Sequence, residues 1–198
     1  MCNLFNLKAS REELIARFKA QDDWRNQVMV EKDYVAPGKP GYVVREHEGQ
    51  RLLSTMLWGF PHQGKPVTNV RNYKSPFWRS ALQNPERRCL VPVTEFQEWS
   101  VEPAPETGKK RAFWFSLPSQ PIFAFAGIWR PTEAAPVFSF LTCGYDGDPS
   151  IHVVGAVHPQ ACPVILHEED YDRWLRTDLD DALTLAAPFP SQLMAVRS

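Results

Sequence analysis

The chain has 198 residues, 43% of them hydrophobic and 12% aromatic, which suits one globular domain (1–198) with a sizeable core and excludes a disordered chain. Its net charge of −1 singles out no partner, but the charge is unevenly spread. Six basic side chains between positions 65 and 88 (Lys65, Arg71, Lys74, Arg79, Arg87, Arg88) stand against Glu86 alone, while positions 167–185 hold seven acids and two arginines.

The chain opens MCNLFNL. Cys2 is either a small hydrophobe starting a strand with Leu4 or something rarer. A small residue at position two favours removal of Met1, and removal leaves Cys2 with a free α-amine and a thiol on adjacent carbons. SREELIARFKAQDDW, residues 10–24, then reads as a helix, with Ser10 and Glu13 at capping-box spacing and Leu14, Ile15 and Phe18 on one face. YVAPGKPGYVVR is a loop ending in a short strand, and RLLSTMLWGF is a strand that stops at Gly59. RRCLVPVTEF, AFWFSL, PIFAFAGIW, VFSFLT and IHVVGAV read as further short strands, with EPAPETGKK as a solvated hairpin loop. EEDYDRWLR and residues 178–186 predict two helices, the second stopped before Pro188, and LMAVRS a last strand. The 18 prolines agree with many short strands and ordered loops. The expected architecture is α+β, a mixed sheet curling into a barrel with a few helices around it.

No apolar run reaches the length of a membrane span and no signal peptide opens the chain, so a cytoplasmic protein is expected. The four cysteines, at 2, 89, 143 and 162, show no C-x-x-C pair or zinc-finger spacing. Free thiols are expected there, without a metal or a cofactor.

Three stretches can carry chemistry. In TEFQEW, strand alternation puts Phe96 and Glu98 on one face and Glu95, Gln97 and Trp99 on the other. Glu98 on an apolar face would have a raised pKa suited to proton transfer, whereas on an exposed edge both glutamates are simply solvated. AVHPQACPVIL sets His158 at a strand end before Pro159, aimed at a cleft or serving the fold, with His152 on the same strand. VTNVRNYKSPFWR mixes amide, cationic and aromatic groups. Its Arg71, Lys74 and Arg79 can hold phosphates, and its rings, with Trp58 before Gly59, either stack bases or pack the core.

Taken in order, MCNLF, WGF, TNVRN, RRCLVPVTEFQEW, FAFAGIW, FLT and HPQACPVIL make the whole chain resemble the SOS response-associated peptidase (SRAP) family. The resemblance implies a mixed α+β domain with a strongly bent sheet forming a pseudo-barrel. It also implies a protein that senses abasic sites in single-stranded DNA and cross-links to them covalently, as a cytoplasmic monomer that sits on the nucleoid in a bacterium. Residue by residue, Cys2 matches the family's N-terminal nucleophile, Asn69 its active-site asparagine, Glu98 its acid, His158 its histidine and Arg71 a phosphate-contacting arginine. The opening Met-Cys-Asn-Leu replaces the common Met-Cys-Gly-Arg, and His158-Pro-Gln-Ala-Cys-Pro replaces His-x-Arg-Met-Pro with one residue more and no arginine.

The implied chemistry begins with the aldehyde of an opened abasic sugar. An α-amine of pKa about 8 is partly neutral at physiological pH and condenses with it, and the adjacent thiol closes a thiazolidine ring. In that scheme Asn69 holds the amine or the sugar oxygen, Glu98 accepts a proton and His158 protonates the ring oxygen. Two other activities fit the same residues: a thiol peptidase that removes its own Met1, and a non-catalytic nucleic-acid-binding module using the basic segment alone.

Overall fold

Most of the apolar runs fold as strands, and five of the strands close into a ring. The computed structural model describes residues 2–23, 28–30 and 33–198. In chain order the first elements are β1 (Phe5–Asn6), α1 (Arg11–Phe18), β2 (Gln21–Asp22), β3 (Tyr34–Val35), β4 (Pro40–His47), β5 (Gln50–Trp58), β6 (Phe60–His62), β7 (Lys65–Val67) and β8 (Asn69–Val70). Helix α2 (Pro76–Gln83) precedes β9 (Arg88–Val93), β10 (Glu95–Pro103), β11 (Lys110–Ser116), β12 (Phe123–Arg130), β13 (Val137–Cys143), β14 (Cys162–Pro163) and β15 (Ile165–Leu166). Helices α3 (Tyr171–Arg176) and α4 (Leu179–Leu183) lead to the final strand β16 (Ala195–Arg197).

β4 pairs antiparallel with β5 and β9, β9 with β12, and β12 with β13. β13 then runs parallel to β5, Val137 opposite Leu57 and Phe138 opposite Trp58, and this pairing closes the ring. A second sheet, in the order β16-β11-β10-β1-β3, carries the N-terminal strand in its interior. The two are joined by aromatic packing: the Phe5 ring centroid lies 5.1 Å from that of Trp58, 6.3 Å from Phe125 and 6.2 Å from Phe140, all edge-on. Such pairs add about 0.5–1.5 kcal/mol each beyond the area they bury. The first strand is therefore fixed in the core.

RRCLVPVTEF is one run in the sequence but two strands in the fold. Thr94 is the corner: its N–H and Oγ1 both donate to the Asn6 carbonyl, at 2.9 and 3.0 Å, so β9 stays in the ring while β10 passes to the second sheet beside β1. Gly59 makes the other sharp bend. Its φ of +115° and the 2.4 Å that would separate an added Cβ from Pro66 Cβ leave room for no side chain.

Three expectations need correcting. The first helix has its capping box, Ser10 Oγ accepting from Glu13 N–H at 3.2 Å and Glu13 Oε2 from Ser10 N–H at 2.7 Å. It ends at Phe18, because Lys19 turns left-handed (φ 51°) and the chain then pairs with β5 as β2; Trp24, the last residue of the predicted helix, lies outside the described residues. The segment PFWRSALQ, read only as part of a basic aromatic stretch, is α2, with Ser75 Oγ accepting from Phe77 N–H and Pro76 in the first turn.

IHVVGAV is not a strand. Pro149–Ile151 form a 3-10 turn, and residues 152–158 coil through bonds from Ala156 N–H to His152 O and from His158 N–H to Val154 O, both 2.8 Å. His152 holds the coil: its Nδ1 accepts from the N–H groups of Val154 (3.1 Å) and Gly155 (3.4 Å), so Nε2 carries the proton and donates to Phe189 O at 2.8 Å. An imidazole that takes two backbone donors removes them from any ladder. No helix among the described residues is long and apolar enough to cross a membrane.

Candidate active site

β1 continues backward to Cys2 along the edge of β10, where Gln97 N–H donates to Leu4 O at 3.0 Å. Cys2 is fully buried, and its Sγ faces Leu4 O at 3.5 Å. β8, held parallel to β13 with Asn69 opposite Phe140, brings in Asn69. The Asn69 Nδ2 donates to the Cys2 carbonyl at 3.1 Å and to Thr68 Oγ1 at 2.8 Å, while its buried Oδ1 accepts no bond from any described residue. One side-chain amide thus holds Cys2 and still offers an acceptor.

Along β10 burial does not alternate through Glu98, because Glu95 and Gln97 on the opposite face are buried as well. Phe96 and Glu98 face inward, and Trp99 faces out, 48% exposed. Glu98 has only 2% of its side chain exposed, and its Oε2 lies 3.9 Å from His158 Nδ1. Burial pushes Glu98 up to about 7, well above the ordinary carboxylate range. His158 moves the other way, down to about 4: burial disfavours its cation first, and neighbouring positive charges, Arg71 and Lys110 among them, add to this. The imidazole is then neutral at pH 7, and the 3.9 Å contact is polar rather than an ion pair. Burial, with the Glu98 charge second, pushes the Cys2 thiol well above its ordinary value, so it stays protonated until a base takes the proton.

Glu95, one residue from Phe96, has a different life. It is not solvated: its carboxylate accepts from Asn6 Nδ2 (2.8 Å), Lys8 Nζ (2.9 Å) and Arg197 Nη2 (2.7 Å). Burial opposes the charge, yet those three donors hold it down to about 2.

The basic segment does not form one face. Arg88 is wholly buried, donating to the carbonyls of Leu82, Trp174 and Thr177. Arg87 lies over the Trp129 ring at 4.4 Å. Arg71 is exposed and donates to Gln160 O at 2.6 Å, on the segment that carries His158. Lys74 and Arg79 are exposed beside and on α2, without ion pairs among the described residues. Trp58 is not a platform: it is fully buried, stacks on Phe140 at 5.2 Å and donates through Nε1 to Thr68 O. Trp78 is also in the core, whereas Tyr73 and Phe77 are half-buried.

Four residues near the centre were missed by reading the sequence. Thr68 orients Asn69, Tyr145 donates through its hydroxyl to His158 O at 3.2 Å, Lys110 sets part of the field on His158, and Trp99 offers an exposed ring beside Glu98. Only Lys110 and Trp99 left a signal, a cation at the foot of the hairpin and an aromatic facing out from a buried strand. The broad surface cavity lined by Arg17, Arg51, Glu168 and Asp172 is another place, and its charges satisfy one another through the pairs Arg17–Glu168 and Arg51–Asp172, both 2.7 Å.

The solved structures similar to this one include a protein from Bacteroides thetaiotaomicron (TM-score 0.78, 19% identity, covering 98% of this chain and 90% of that one) and one from Bordetella bronchiseptica (TM-score 0.76, 21% identity, 98% of each). Among named relatives, abasic site processing protein YoqW of Bacillus subtilis is 26% identical over 216 residues, spanning 98% of this chain and 90% of that protein. YoaM of the same organism, also named an abasic site processing protein, is 22% identical over 98% of this chain and 88% of its own length. A buried cysteine at position two, held by an asparagine amide and backed by a high-pKa acid and a neutral histidine, sits in a chain that the model for SOS response associated peptidase (SRAP) matches from residue 1 to 198, and the protein belongs to that family.

Proposed function

We propose that this protein processes abasic sites in DNA by bonding to them through Cys2, and that its substrate is the single-stranded form. The observation that carries this reading is that Asn69 bonds the second residue of the chain, the Glu98 charge acts on its thiol, and His158 lies 3.9 Å from Glu98. No internal cysteine offers an amine beside its thiol. Removal of Met1 supplies that amine. Met1 itself lies outside the described residues.

The reaction runs in two bonds. The amine nitrogen adds to the aldehyde carbon of the opened sugar, and loss of water leaves an imine. The thiol sulfur then adds to the imine carbon and its proton passes to the nitrogen, closing a thiazolidine. Glu98, poised near 7, is the group that can both donate and accept at neutral pH. It protonates the ring oxygen as the sugar opens and takes the thiol proton when sulfur attacks. His158, neutral above about 4, serves as a hydrogen-bonding group that orients the sugar rather than as a standing acid. The open Oδ1 of Asn69 accepts from the amine N–H, holding nitrogen toward the carbon it attacks. Arg71 and Lys110, both exposed, offer charge to the flanking phosphates. The exposed Trp99 takes the stacking role that the buried Trp58 cannot fill.

Intact-mass analysis after mixing with a single-stranded oligonucleotide containing an abasic site tests the reading. The wild type gains the mass of the oligonucleotide less one water, stably. Cys2→Ala gains it only when the imine is trapped with a hydride donor, because an alanine amine can condense but has no sulfur to close the ring. Undiminished stable cross-linking by Cys2→Ala would sink the mechanism. No adduct with the wild type, but reversible binding that follows the basic residues, would leave a non-catalytic DNA-binding module.

A further inference from the structure

Two thiols outside the proposed chemistry are brought together by the fold. β13 and β14 run antiparallel with Cys143 directly opposite Cys162, and the two Sγ atoms stand 3.6 Å apart as free thiols. We propose that Cys143 and Cys162 form a second reactive thiol site, a dithiol that exchanges with low-molecular-weight disulfides to close an internal disulfide and so moves the segment that holds His158.

The geometry supports closure. Directly opposed residues on antiparallel strands have Cα atoms about 4.5–5.5 Å apart, inside the range that a disulfide spans. The pair ends its ladder, and the chain beyond Cys143 is exposed at Gly144, where even an added Cβ would meet nothing within 4 Å. The end of the ladder is thus open to solvent at Gly144, although both cysteines are themselves buried. Contact with the Cys143 thiol lowers the pKa of Cys162, which favours the thiolate that exchange requires.

The exchange balances. One protein thiolate attacks the small disulfide and expels one small thiol, and the second protein thiol then attacks the mixed disulfide and expels the other. The protein loses two S–H bonds and gains one S–S bond. The small disulfide loses its S–S bond and leaves as two thiols carrying the two protons.

What the bond would move is the wall of the proposed site. Between His158 and Cys162 the chain is held by the Tyr145 hydroxyl at His158 O (3.2 Å) and by Arg71 at Gln160 O (2.6 Å). Tyr145 itself follows Cys143 by two residues. Closing the gap from 3.6 Å to the roughly 2.05 Å of a disulfide draws these strands together and shifts His158 against Glu98. A misplacement of about 1 Å can cost about a hundredfold in rate.

The disulfide is tested on the whole protein without DNA, so its fate is separate from that of the abasic-site reading. The reduced protein is treated with excess oxidised glutathione, quenched by alkylation in denaturant and mapped by mass. The expected product is a cross-linked pair of peptides carrying Cys143 and Cys162, absent in both Cys143→Ser and Cys143→Ala. Glutathione adducts without the link, or two alkylated thiols, would overturn the site. The effect on rate does rest on that reading, and it is measured in the Cys2→Ala background, where no thiol at position two can react with the oxidant. Imine trapping with cyanoborohydride, which spares disulfides, should be at least tenfold slower after oxidation, and unchanged when Cys143→Ser is added. Equal rates before and after oxidation, with the link formed, would overturn the coupling to His158. An absence of trapped adduct in every form would count against the abasic-site reading, and the mass map would still decide the disulfide.

Discussion

Glu98 and His158 leave their ordinary titration ranges in opposite directions because the same burial disfavours the charged form of each. For Glu98 the consequence for stability has a definite sign. Its folded pKa of about 7 lies above the ordinary carboxylate value, so the folded state keeps a proton that the unfolded chain has lost. That contribution is complete below about pH 4.3 and is lost as pH rises through about 7, a change of up to ~3 kcal/mol. Glu98→Gln keeps the shape and removes the titration. The stability of the variant relative to the wild type should therefore rise from pH 4 to pH 8, as read by denaturant midpoints across that range. Its single-turnover cross-linking rate should fall by about a hundred- to ten-thousand-fold, the usual contribution of a positioned acid or base. A variant that lost the rate without gaining stability at pH 8 would show that the carboxyl is not strained where it stands.

At the scale of elements, β10 shows what the sequence could reveal and the 149–162 segment shows what it could not. Period-two alternation through TEFQEW correctly set Glu98 inside, because a strand leaves each side chain no choice of face. The same pattern said nothing of how Glu95 would be used, since its three donors come from residues 6, 8 and 197. Those contacts join β10 to β1 and to β16, so Glu95 is a tie between both ends of the chain. Glu95→Gln should cost about 1–2 kcal/mol, the scale of one or two charge-assisted bonds shared with exposed cations, and leave the single-turnover rate of the folded protein unchanged. Thermal midpoints at pH 7 and the rate below the midpoint check this. Because the Glu95 pKa is lowered in the fold, its stabilisation holds above about pH 4.3 and fades as pH falls toward 2. The coil that delivers His158 was illegible for a different reason: IHVVGAV has strand composition, and only the capture of two N–H groups by the His152 ring redirects it. Side-chain capture of backbone is a tertiary decision, also seen in the bond from His152 Nε2 to Phe189 O, 37 residues away.

Over the whole molecule, packing divides the six basic residues of positions 65–88. Arg88 serves as an internal staple between the ring and α3, and Arg87 is laid over Trp129. Arg71 remains exposed next to His158, joined there by Lys110 from the other sheet, which lies outside the segment altogether. Affinity for a DNA strand should therefore follow position around the site rather than position in the sequence. On single strands each phosphate neutralised contributes about 0.7 to the slope of log affinity against log salt. Arg71→Ala and Lys110→Ala should each lower that slope by about 0.7 and weaken binding to all sequences alike, because phosphate contacts carry no sequence information. Arg87→Ala should leave the slope unchanged. Fluorescence anisotropy of a labelled oligonucleotide without abasic sites, titrated over a range of salt, separates reversible binding from the covalent step. If Arg87→Ala reduced the slope as much as Arg71→Ala, the segment would be acting as a single face, and the division that the fold makes between staple and contact would be wrong.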